Sequence, residues 1–466
     1  MKGLKVILIG ILLLPFITMA QQQDSLYLGY EEYLEMVKAY HPLVKQANLI
    51  RDKGAADLLK ARGGFDPKIE AGYERKDFKD TRYYDLFNST FKIPTWYGVE
   101  LKAKWEKNEG YYLNPQNKVP NDGLFAAGIS IPLGQGLFIN DRMAALKKAK
   151  VYREQTLVDQ QLAVNEVLYD ASVAYFEWYT KFGELDLYRN FIENAEIRYS
   201  GILKSYELGD KPAIDTLEAN IQIQDRNLSL TQAELEFYKA SLKLGTYLWA
   251  ENNTPLELKE EVYPTANFQE ESLTALALLF EESLEDHPKI RSLEYKVDIL
   301  EYDKRLKANK LLPKFNIEYN FLSAEPELLR SFVNENYKLG FNFSIPIFLR
   351  KERGDLQASE IKLENAELDV VSQELELRNK IKALREQYKS YQEQVVMINT
   401  LVDNYTTMLN AEERKLQLGE SSIFFVNTRE KSLIASRIKQ IAIKQKLWNT
   451  RAELKRVLAV FQVATN

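Results

Sequence analysis

The chain of 466 residues carries 62 Lys and Arg against 67 Asp and Glu, a formal net charge of -5, and no cysteine. This charge is too acidic for a protein that binds the phosphate backbone of nucleic acids, so no nucleic-acid partner is expected. The lack of cysteine excludes disulfides, thiolate metal sites, a cysteine nucleophile and a lipid-modified N-terminal cysteine, so no lipid anchor is expected.

The N-terminus has the pattern of a secretory signal peptide. Two lysines precede an apolar run from Val6 to Leu14, and Thr18 and Ala20 place small residues at the cleavage positions. The run is shorter than the ~20 residues of a transmembrane helix, and no later apolar stretch approaches ~18 residues. Residues 1–20 are therefore predicted to be removed during export.

The same phrases occur twice along the chain. His41-Pro42 returns as His287-Pro288, and Pro67 and Pro313 follow these two phrases at the same distance. Two further pairs extend the match: Ser130–Leu133 with Ser344–Ile347, and Leu208-Gly209 with Leu418-Gly419. A match of this length predicts an internal two-fold repeat, with a first copy at 21–250, a linker at 251–270 and a second copy at 271–466.

Each copy is predicted to open with a helix, Tyr30–Arg62 and Ser272–Leu312, and the His-Pro phrase lies near its start. Proline fits the first turn of a helix and fits poorly deeper inside, so the phrase indicates a helix break and restart. A metal site shared by the two histidines is less favoured, because no cluster of Asp, Glu or His accompanies either one at ligand spacing.

Strict alternation of apolar and polar residues follows in the second copy. It predicts two strands in the block 314–347, one through Phe315–Phe321 and one through Tyr337–Ile345, joined by a loop near Glu325-Pro326. Both strands have an aromatic and aliphatic face and a charged or amide face. At about 9–11 residues, such strands are typical of outer-membrane barrels, with a soluble two-layer sheet as the alternative.

The first copy contains a longer strand block, 68–133. Three clear strands run through Ile69–Tyr73, Tyr97–Trp105 and Phe125–Ile131, and Tyr83–Ile93 is a weak fourth candidate. A block that both starts and ends on the same side of a membrane needs an even number of strands. The first block is therefore predicted to have two or four strands.

Long helices follow each strand block, and apolar residues recur in them at alternating steps of four and three. The repeating residues are Val164, Leu168, Ala171, Tyr175, Trp178, Phe182 and Leu185 in the first copy, and Leu377, Ile381, Leu384, Tyr388, Tyr391, Val395, Ile398, Val402, Tyr405 and Leu409 in the second. This spacing predicts left-handed coiled-coil packing. The turn sequences Gly209–Pro212 and Gly419–Ser422 then predict two helical hairpins, 140–250 and 355–462.

One chain thus supplies four to six strands, fewer than the ~8 of the smallest closed barrel. An open sheet edge in lipid leaves backbone N–H and C=O groups unpaired, so other copies must close the barrel. The predicted fold class is an α+β membrane protein in which an oligomeric transmembrane β-barrel is continued by a long α-helical coiled-coil periplasmic barrel.

The order, duplication and spacing of these motifs resemble those of the TolC-like outer membrane efflux proteins, or outer membrane factors, over essentially the whole mature chain. The motifs are the strand openings Pro67–Ile69 and Pro313–Phe315, the strand exits Ile131–Leu133 and Ile345–Phe348, and the tip phrases Tyr206–Gly209 and Leu416–Gly419. The resemblance implies a homotrimer with a water-filled twelve-stranded barrel and a periplasmic tunnel. It also implies docking to a periplasmic adaptor (membrane fusion) protein and, through it, to an inner-membrane pump of the RND or ABC type.

The function implied by this resemblance is that of the outer-membrane channel subunit of a tripartite efflux or type I secretion system. Such a subunit is a passive conduit for small molecules or proteins, lies in outer-membrane lipid and needs no cofactor or metal. An enzyme is not expected, because both histidines lie in helix-break phrases and the carboxylates are not clustered. The main alternative is a periplasmic adaptor or structural coiled-coil protein without a membrane barrel.

The resemblance also implies a pore constriction at the tip of the hairpins. In the family, acidic residues six and nine positions after the second tip glycine often line the constriction. Here these positions are Phe425 and Thr428, preceded by Phe424, and the first copy has Asp215 and Glu218. We therefore expect a partly apolar ring, with packing against a neighbouring helix as the alternative role of the phenylalanines.

Adaptor docking is the second role that the resemblance assigns to the tip. It would place Leu208, Gly209, Leu418 and Gly419 against the hairpins of the adaptor. The alternative is that both leucines make ordinary contacts at a helix C-terminus.

Overall fold

A computed structural model gives the fold of residues 27–259, 261–265, 284, 286–325 and 335–461. The predicted signal peptide, the predicted helix start at Ser272, the loop at Pro326 and the last five residues lie outside these ranges. Among the described residues, no helix is both long enough and apolar enough to cross a membrane.

Seven α-helices make up most of the described part of the chain. In chain order they are α1 (Tyr30–Tyr40), α2 (Pro42–Arg62), α3 (Asp141–Glu207), α4 (Ala213–Gly245), α5 (Pro288–Asn309), α6 (Arg350–Gln417) and α7 (Ile423–Val457). At ~1.5 Å per residue, the 67-residue α3 and the 68-residue α6 are each about 100 Å long. Helices of this length need partners along their whole course.

The helix break predicted at His41 is confirmed. α1 and α2 lie on either side of this residue, whose backbone is extended with φ -63 and ψ 131. The backbone N–H of Leu43 donates to His41 Nδ1 at 3.2 Å, so the imidazole caps α2. His287 caps α5 in the same way and accepts from the N–H of Lys289 at 3.1 Å.

Six long strands form one antiparallel sheet at the end of the helices. They are β1 (Lys68–Phe78), β2 (Thr81–Pro94), β3 (Glu100–Glu109), β4 (Leu124–Pro132), β5 (Lys314–Ser323) and β6 (Tyr337–Ser344). Their order in the sheet follows the chain, so that β1 and β6 are the two edges. The first block therefore has four strands, and the weak candidate at Tyr83–Ile93 is part of β2.

Six strands in one chain differ from the implied twelve-stranded barrel, in which each of three chains would supply four. The two additional strands lie in the first block, which contributes two hairpins (β1 to β4), whereas the second block contributes only one. All five pairs of neighbouring strands are antiparallel.

The predicted start of β3 at Tyr97 was wrong. β3 begins at Glu100, because the backbone N–H and the hydroxyl of Thr95 both donate to the Val99 carbonyl, at 2.8 and 2.7 Å. Gly98 completes this turn with φ +74, a value that glycine adopts without strain.

Three helices end earlier than predicted. α5 stops at Asn309 rather than at Leu312. α4 stops at Gly245 rather than continuing to Ala250, because Trp249–Ala250 forms a short antiparallel ladder with Thr254–Pro255. α7 stops at Val457, and Ala459 beyond it has φ +55, which is incompatible with a continuing helix.

The helices contact one another in a fixed order across the molecule. Near the sheet the order is α2, α3, α5, α6, and towards the far end it is α4, α3, α7, α6. Each long helix therefore has a short partner near the sheet and a longer one towards the tip. α2 and α4 lie along one edge of this arrangement and α6 lies along the other.

The predicted coiled-coil spacing is confirmed on both long helices. Val164, Leu168, Ala171, Tyr175, Trp178 and Leu185 are buried in α3, and Ile381, Leu384, Ile398, Val402 and Leu409 are buried in α6. In α6 the buried residues pack against α7, with Val402 and Leu409 in one cluster with Val426 and Leu433.

The largest core cluster lies where α1 and α4 meet the middle of α3. Tyr33, Tyr175 and Trp178 are completely buried there. Their polar atoms are satisfied: Tyr175 Oη donates to the Leu28 carbonyl at 2.7 Å, and Trp178 Nε1 donates to Ser241 Oγ at 3.0 Å. Burying each of these side chains contributes about 2 kcal/mol or more to the stability of the chain.

Candidate functional site

The sheet has one apolar face that is continuous across all six strands. The strand register places one residue of each strand in a single row: Ile69, Phe91, Ala103, Ala127, Phe321 and Tyr337. The adjacent row on the same face holds Ile93, Leu101, Ile129, Tyr319 and Leu339. A wide apolar face with aromatic residues is the surface that a barrel presents to lipid.

The opposite face of the sheet is charged and polar. One row on it reads Lys68, Lys92, Lys102, Gly128, Asn320 and Lys338. Ion pairs cross this face: Lys92 Nζ lies 2.5 Å from Glu70 Oε2, and Lys102 Nζ lies 3.1 Å from Glu318 Oε2. Such a face is suited to a water-filled lumen.

β4 has small side chains on the polar face, where β3 and β5 carry charges. Ala126, Gly128 and Ser130 leave room for Lys102 of β3 to reach over β4 to Glu318 of β5. A Cβ at Gly128 would lie 2.4 Å from the Tyr319 carbonyl, so only glycine fits there. The close approach of β4 and β5 and the ion pair above them therefore depend on the same position.

Both helical hairpins end in the same turn. Gly209 has φ +83 and Gly419 has φ +78. The N–H groups of Gly209 and Asp210 donate to the carbonyls of Tyr206 and Ser205, each at 2.9 Å, and the equivalent bonds at Gly419 are 3.1 and 2.8 Å. This is a Schellman motif, in which a left-handed glycine satisfies the last carbonyls of the helix.

The candidate docking leucines immediately precede these glycines and are exposed. Leu208 is 70% exposed and Leu418 is 67% exposed. Contacts with their own helix ends leave most of both side chains free. Two apolar side chains thus project at the far end of the hairpins.

The candidate constriction residues differ in what they contact. Phe424 and Phe425 are 60% and 50% exposed, and their rings meet edge to face at 5.7 Å. Thr428 is exposed as well, and its hydroxyl donates to the Phe424 carbonyl at 2.8 Å. Within one chain, the two phenylalanines are therefore not packed into a helical seam.

Asp215 and Glu218, the counterparts in the first repeat, are polar and half-buried. Asp215 is the third residue of α4, the position that Phe425 occupies in α7. A carboxylate in the first turn of a helix is favoured by the helix dipole. Glu218 accepts a hydrogen bond from Asn427 Nδ2 at 3.1 Å and so links α4 to α7.

A charged node above the tip was missed in the sequence. Arg198 of α3 contacts Glu430 of α7 at 2.8 Å and Glu413 of α6 at 3.2 Å. Asn427 is close to Arg198 and donates to Glu218, so the node joins all four helices of the tip. A signal was present, because Glu430 follows Ile423 and Val426 at coiled-coil spacing, where an apolar residue is expected.

Both histidines belong to the described residues and have structural roles as helix caps. Burial lowers the pKa of both His41 and His287 below the usual value, which keeps them neutral at pH 7. His287 Nε2 lies 2.7 Å from the Val457 carbonyl and ties the start of α5 to the end of α7. The part of the chain that the structure describes holds no group of three or more potential metal ligands.

Comparison with known proteins identifies this architecture. Residues 279–460 match the family described as Outer membrane efflux protein. No curated protein sequence gives a significant match to the chain.

Solved structures of outer membrane channels share the fold. The CmeC channel of Campylobacter jejuni is 13% identical, with a TM-score of 0.67 over 92% of this chain and 85% of CmeC. VceC of Vibrio cholerae is 11% identical, with a TM-score of 0.66 over 92% of this chain and 96% of VceC. The open state of MtrE from Neisseria gonorrhoeae is 12% identical, with a TM-score of 0.64 over 92% of this chain and 88% of MtrE.

These findings confirm the resemblance to TolC-like outer membrane efflux proteins. It holds in sequence over residues 279–460 and in fold over 92% of the chain. The matching family and structures are those of channels rather than of enzymes.

Proposed function

We propose that the chain is the outer-membrane channel subunit of a tripartite efflux or type I secretion system. It acts as a passive conduit for small molecules or proteins. The observation that carries this function is a six-stranded sheet with one continuous apolar face and one charged face, mounted on helices of about 100 Å. Residues 1–20 serve as the signal peptide, the sheet lies in the outer membrane and the helices extend into the periplasm.

The working form is a homotrimer. The sheet of one chain is open at β1 and β6, and an open edge is not viable in lipid. α4 and α6, which lie at opposite edges, also carry exposed apolar stripes. Their residues follow one another at steps of three, four or seven, except for one gap of 22 residues between Leu375 and Met397 in α6. The α4 stripe is Ile214, Leu217, Ile221, Leu228, Leu235, Tyr238 and Leu242; the α6 stripe is Ile361, Leu368, Val371, Leu375, Met397, Leu401 and Met408. The tip half of the α6 stripe (Met397, Leu401 and Met408) lies level with α4, and its sheet half (Ile361–Leu375) lies level with α2. Packing α4 and α2 of one copy on the α6 stripe of the next closes the helical tube.

The chain is organised as two copies of one unit, residues 21–250 and 271–466, with a linker at 251–270. The two unit tips, at Gly209 and Gly419, have the same turn geometry. The two units of each chain would then alternate around the wall of the helical tube.

Membrane extraction tests the channel against its main alternative. A trimeric barrel stays in the outer-membrane fraction after alkaline washing, whereas a periplasmic adaptor or structural coiled coil is released. Electron micrographs of the detergent-solubilised particle should show three-fold symmetry and a long tube. Release by alkali, or a particle without three-fold symmetry, contradicts the proposal.

The tip leucines are proposed to dock a periplasmic adaptor, through which an inner-membrane pump of the RND or ABC type is engaged. Their exposure at the end of both hairpins supports this role. A photo-crosslinking residue at Leu418 should give an adduct with a co-expressed adaptor. The same residue at Phe138, which is exposed between β4 and α3 at the opposite end of the helices, is the control; equal labelling at both sites would argue against docking at the tip.

The constriction is proposed to be formed by Phe424, Phe425 and Thr428, together with Asp215 and Glu218. The exposure of the phenylalanines in the single chain supports a place in the pore. Phe425→Asp should raise single-channel conductance and cation selectivity, because it places three carboxylates in the ring. Phe138→Asp, at an exposed phenylalanine between β4 and α3 and outside both stripes, is a matched control. Unchanged conductance and selectivity in Phe425→Asp would assign the phenylalanines to packing between copies.

A further inference from the structure

We propose that the trimer closes a barrel of eighteen strands, in which β1 of each copy pairs with β6 of the next. This rests on the proposed trimeric channel and goes beyond it, because it assigns all six strands of each chain to the wall. The partner that covers each free sheet edge is therefore a second copy of this chain.

The first observation is that the additional hairpin is fully part of the sheet. β1 pairs with β2 along eleven residue pairs with one irregularity at Lys76/Asp77, and β2 pairs with β3 along ten. A hairpin folded over the lumen or the outer surface would not be hydrogen-bonded on this scale. β1 and β2 are therefore structural strands of the wall.

The second observation is that the two faces continue without interruption into this hairpin. Ile69 and Tyr73 of β1 lie on the face of Phe341 and Phe343 of β6, and Lys68 and Glu70 lie on the opposite face. If β1 and β2 left the barrel, their apolar face would have no lipid and their charged face would have no lumen. Six strands with the same inside and outside fit a single wall.

The third observation is that the free edges are fully open. Every residue of β1 and every residue of β6 is exposed in the single chain. No atom lies within 4 Å of the position of a Cβ on Gly72 of β1 or Gly340 of β6. β1 has 11 residues and β6 has 8, so that up to eight residue pairs can form between the two edges.

The fourth observation is a match of width. Six strands spaced ~4.8 Å apart and tilted by about 40° span roughly 38 Å of a barrel wall, whereas four would span roughly 25 Å. The four helices at one level of the chain, ~8–10 Å apart, span roughly 32–40 Å. Sheet and helices then cover the same arc of the ring. Because barrel diameter grows with strand number, the lumen is roughly one and a half times as wide as that of a twelve-stranded barrel.

Cysteine cross-linking tests the pairing, and the cysteine-free chain provides a clean background. Ala71→Cys in β1 is combined in turn with Leu339→Cys, Phe341→Cys and Phe343→Cys in β6, all on the lipid-facing side. After oxidation in the membrane, at least one pair should give covalent trimer at ten-fold or more above its single-cysteine variants. Ala71→Cys with Gly340→Cys, on opposite faces, is the matched control and should give none.

A twelve-stranded barrel makes a different prediction. If β1 and β2 lay outside the wall, β3 would meet β6 of the next copy, and Ala103→Cys with Phe341→Cys would cross-link. A three-fold particle that gives no adduct in any β1 and β6 pair overturns the eighteen-stranded barrel and leaves the proposed channel intact. A particle without three-fold symmetry overturns the channel itself. Counting the strands by electron microscopy of the unmodified trimer decides the question if the cysteine variants fail to assemble.

Discussion

The two longest helices, α3 and α6, are almost equal in length but differ in how much of them one chain buries. α3 has 21 buried residues out of 67, and α6 has 8 out of 68. α3 is covered by α2, α4, α5 and α7, whereas α6 contacts only α5 and α7 among the described helices at comparable extent. α3 is thus the central helix of the single chain, and α6 leaves most of its surface uncovered, where the proposed trimer would make its contacts.

Apolar residues on α6 follow the same division. Leu363 on the inward side is buried, while Leu368 on the α6 stripe is 60% exposed. One chain therefore leaves part of the apolar surface of α6 uncovered. Changes in α3 should affect the chain itself, and changes on the α6 stripe should affect only the ring.

The largest expected effect is that of Trp178→Ala in α3. The fully buried indole leaves a cavity and its hydrogen bond to Ser241 is lost, so we expect a loss of about 4 kcal/mol of unfolding free energy. Denaturant unfolding followed by circular dichroism measures it. Leu203→Ala, on an exposed part of α3, should change stability by less than about 0.5 kcal/mol. Equal effects of the two changes would show that the buried face of α3 is not what stabilises the single chain.

The second effect is that of Arg198→Ala at the charged node. It leaves Glu430, which is 1% exposed, without its cation, and should cost about 3 kcal/mol. Lys239→Ala, which removes the surface pair with Glu236, should cost less than about 0.5 kcal/mol. Thermal unfolding of both variants checks the difference. A cost for Arg198→Ala no greater than that of the control would show that the node does not hold the tip helices together.

The third prediction distinguishes the stability of the trimer from the stability of the single chain. Leu368→Ser should lower the temperature at which the trimer dissociates on a semi-native gel, at a cost of about 1.5 kcal/mol per seam, and should leave the helical content unchanged. Leu363→Ser, on the inward side of the same helix, should instead reduce the stability of the chain. If Leu368→Ser leaves trimer dissociation unchanged, the α6 stripe is not the seam.

The smallest effect is a pH dependence from His287. Burial lowers its folded-state pKa below the usual 6.5, so the unfolded chain binds the proton more tightly. The stability that depends on neutral His287 is complete above about pH 6.5 and is lost as pH falls to the lowered pKa. His287→Asn keeps a helix-capping side chain without titration and should flatten the slope of stability against pH in this range. An unchanged slope would assign the dependence to other groups.

The strands were predictable only where both faces are regular. β5 and β6 alternate strictly and were recognised. β2 was a weak candidate because Ser89 and Asp85 lie on its apolar face and Leu86 lies on its polar face. Its membership in the sheet is decided by hydrogen bonds to both neighbours, which alternation alone does not reveal.

The two turns at the tip were predictable from the sequence, but the ion pairs beside them were not. The Leu-Gly phrases correctly indicated two turns, because a left-handed glycine has a local sequence signal. The ion pair between Arg198 and Glu430 joins residues that are far apart in the chain, and only the packing of α3 against α7 brings them together. In the proposed trimer, the contacts of Phe425 would depend on residues of other copies, which the sequence of one chain does not place.

The location of the two sheet edges in different halves of the chain has a genetic consequence. In the proposed ring, each copy pairs β1 with one neighbour and β6 with the other, so a single chain with a damaged edge breaks the ring in which it sits. When intact and damaged chains are expressed together, only rings drawn entirely from intact chains close. Edge-strand alleles should therefore behave as dominant, whereas alleles that prevent the chain from folding should behave as recessive.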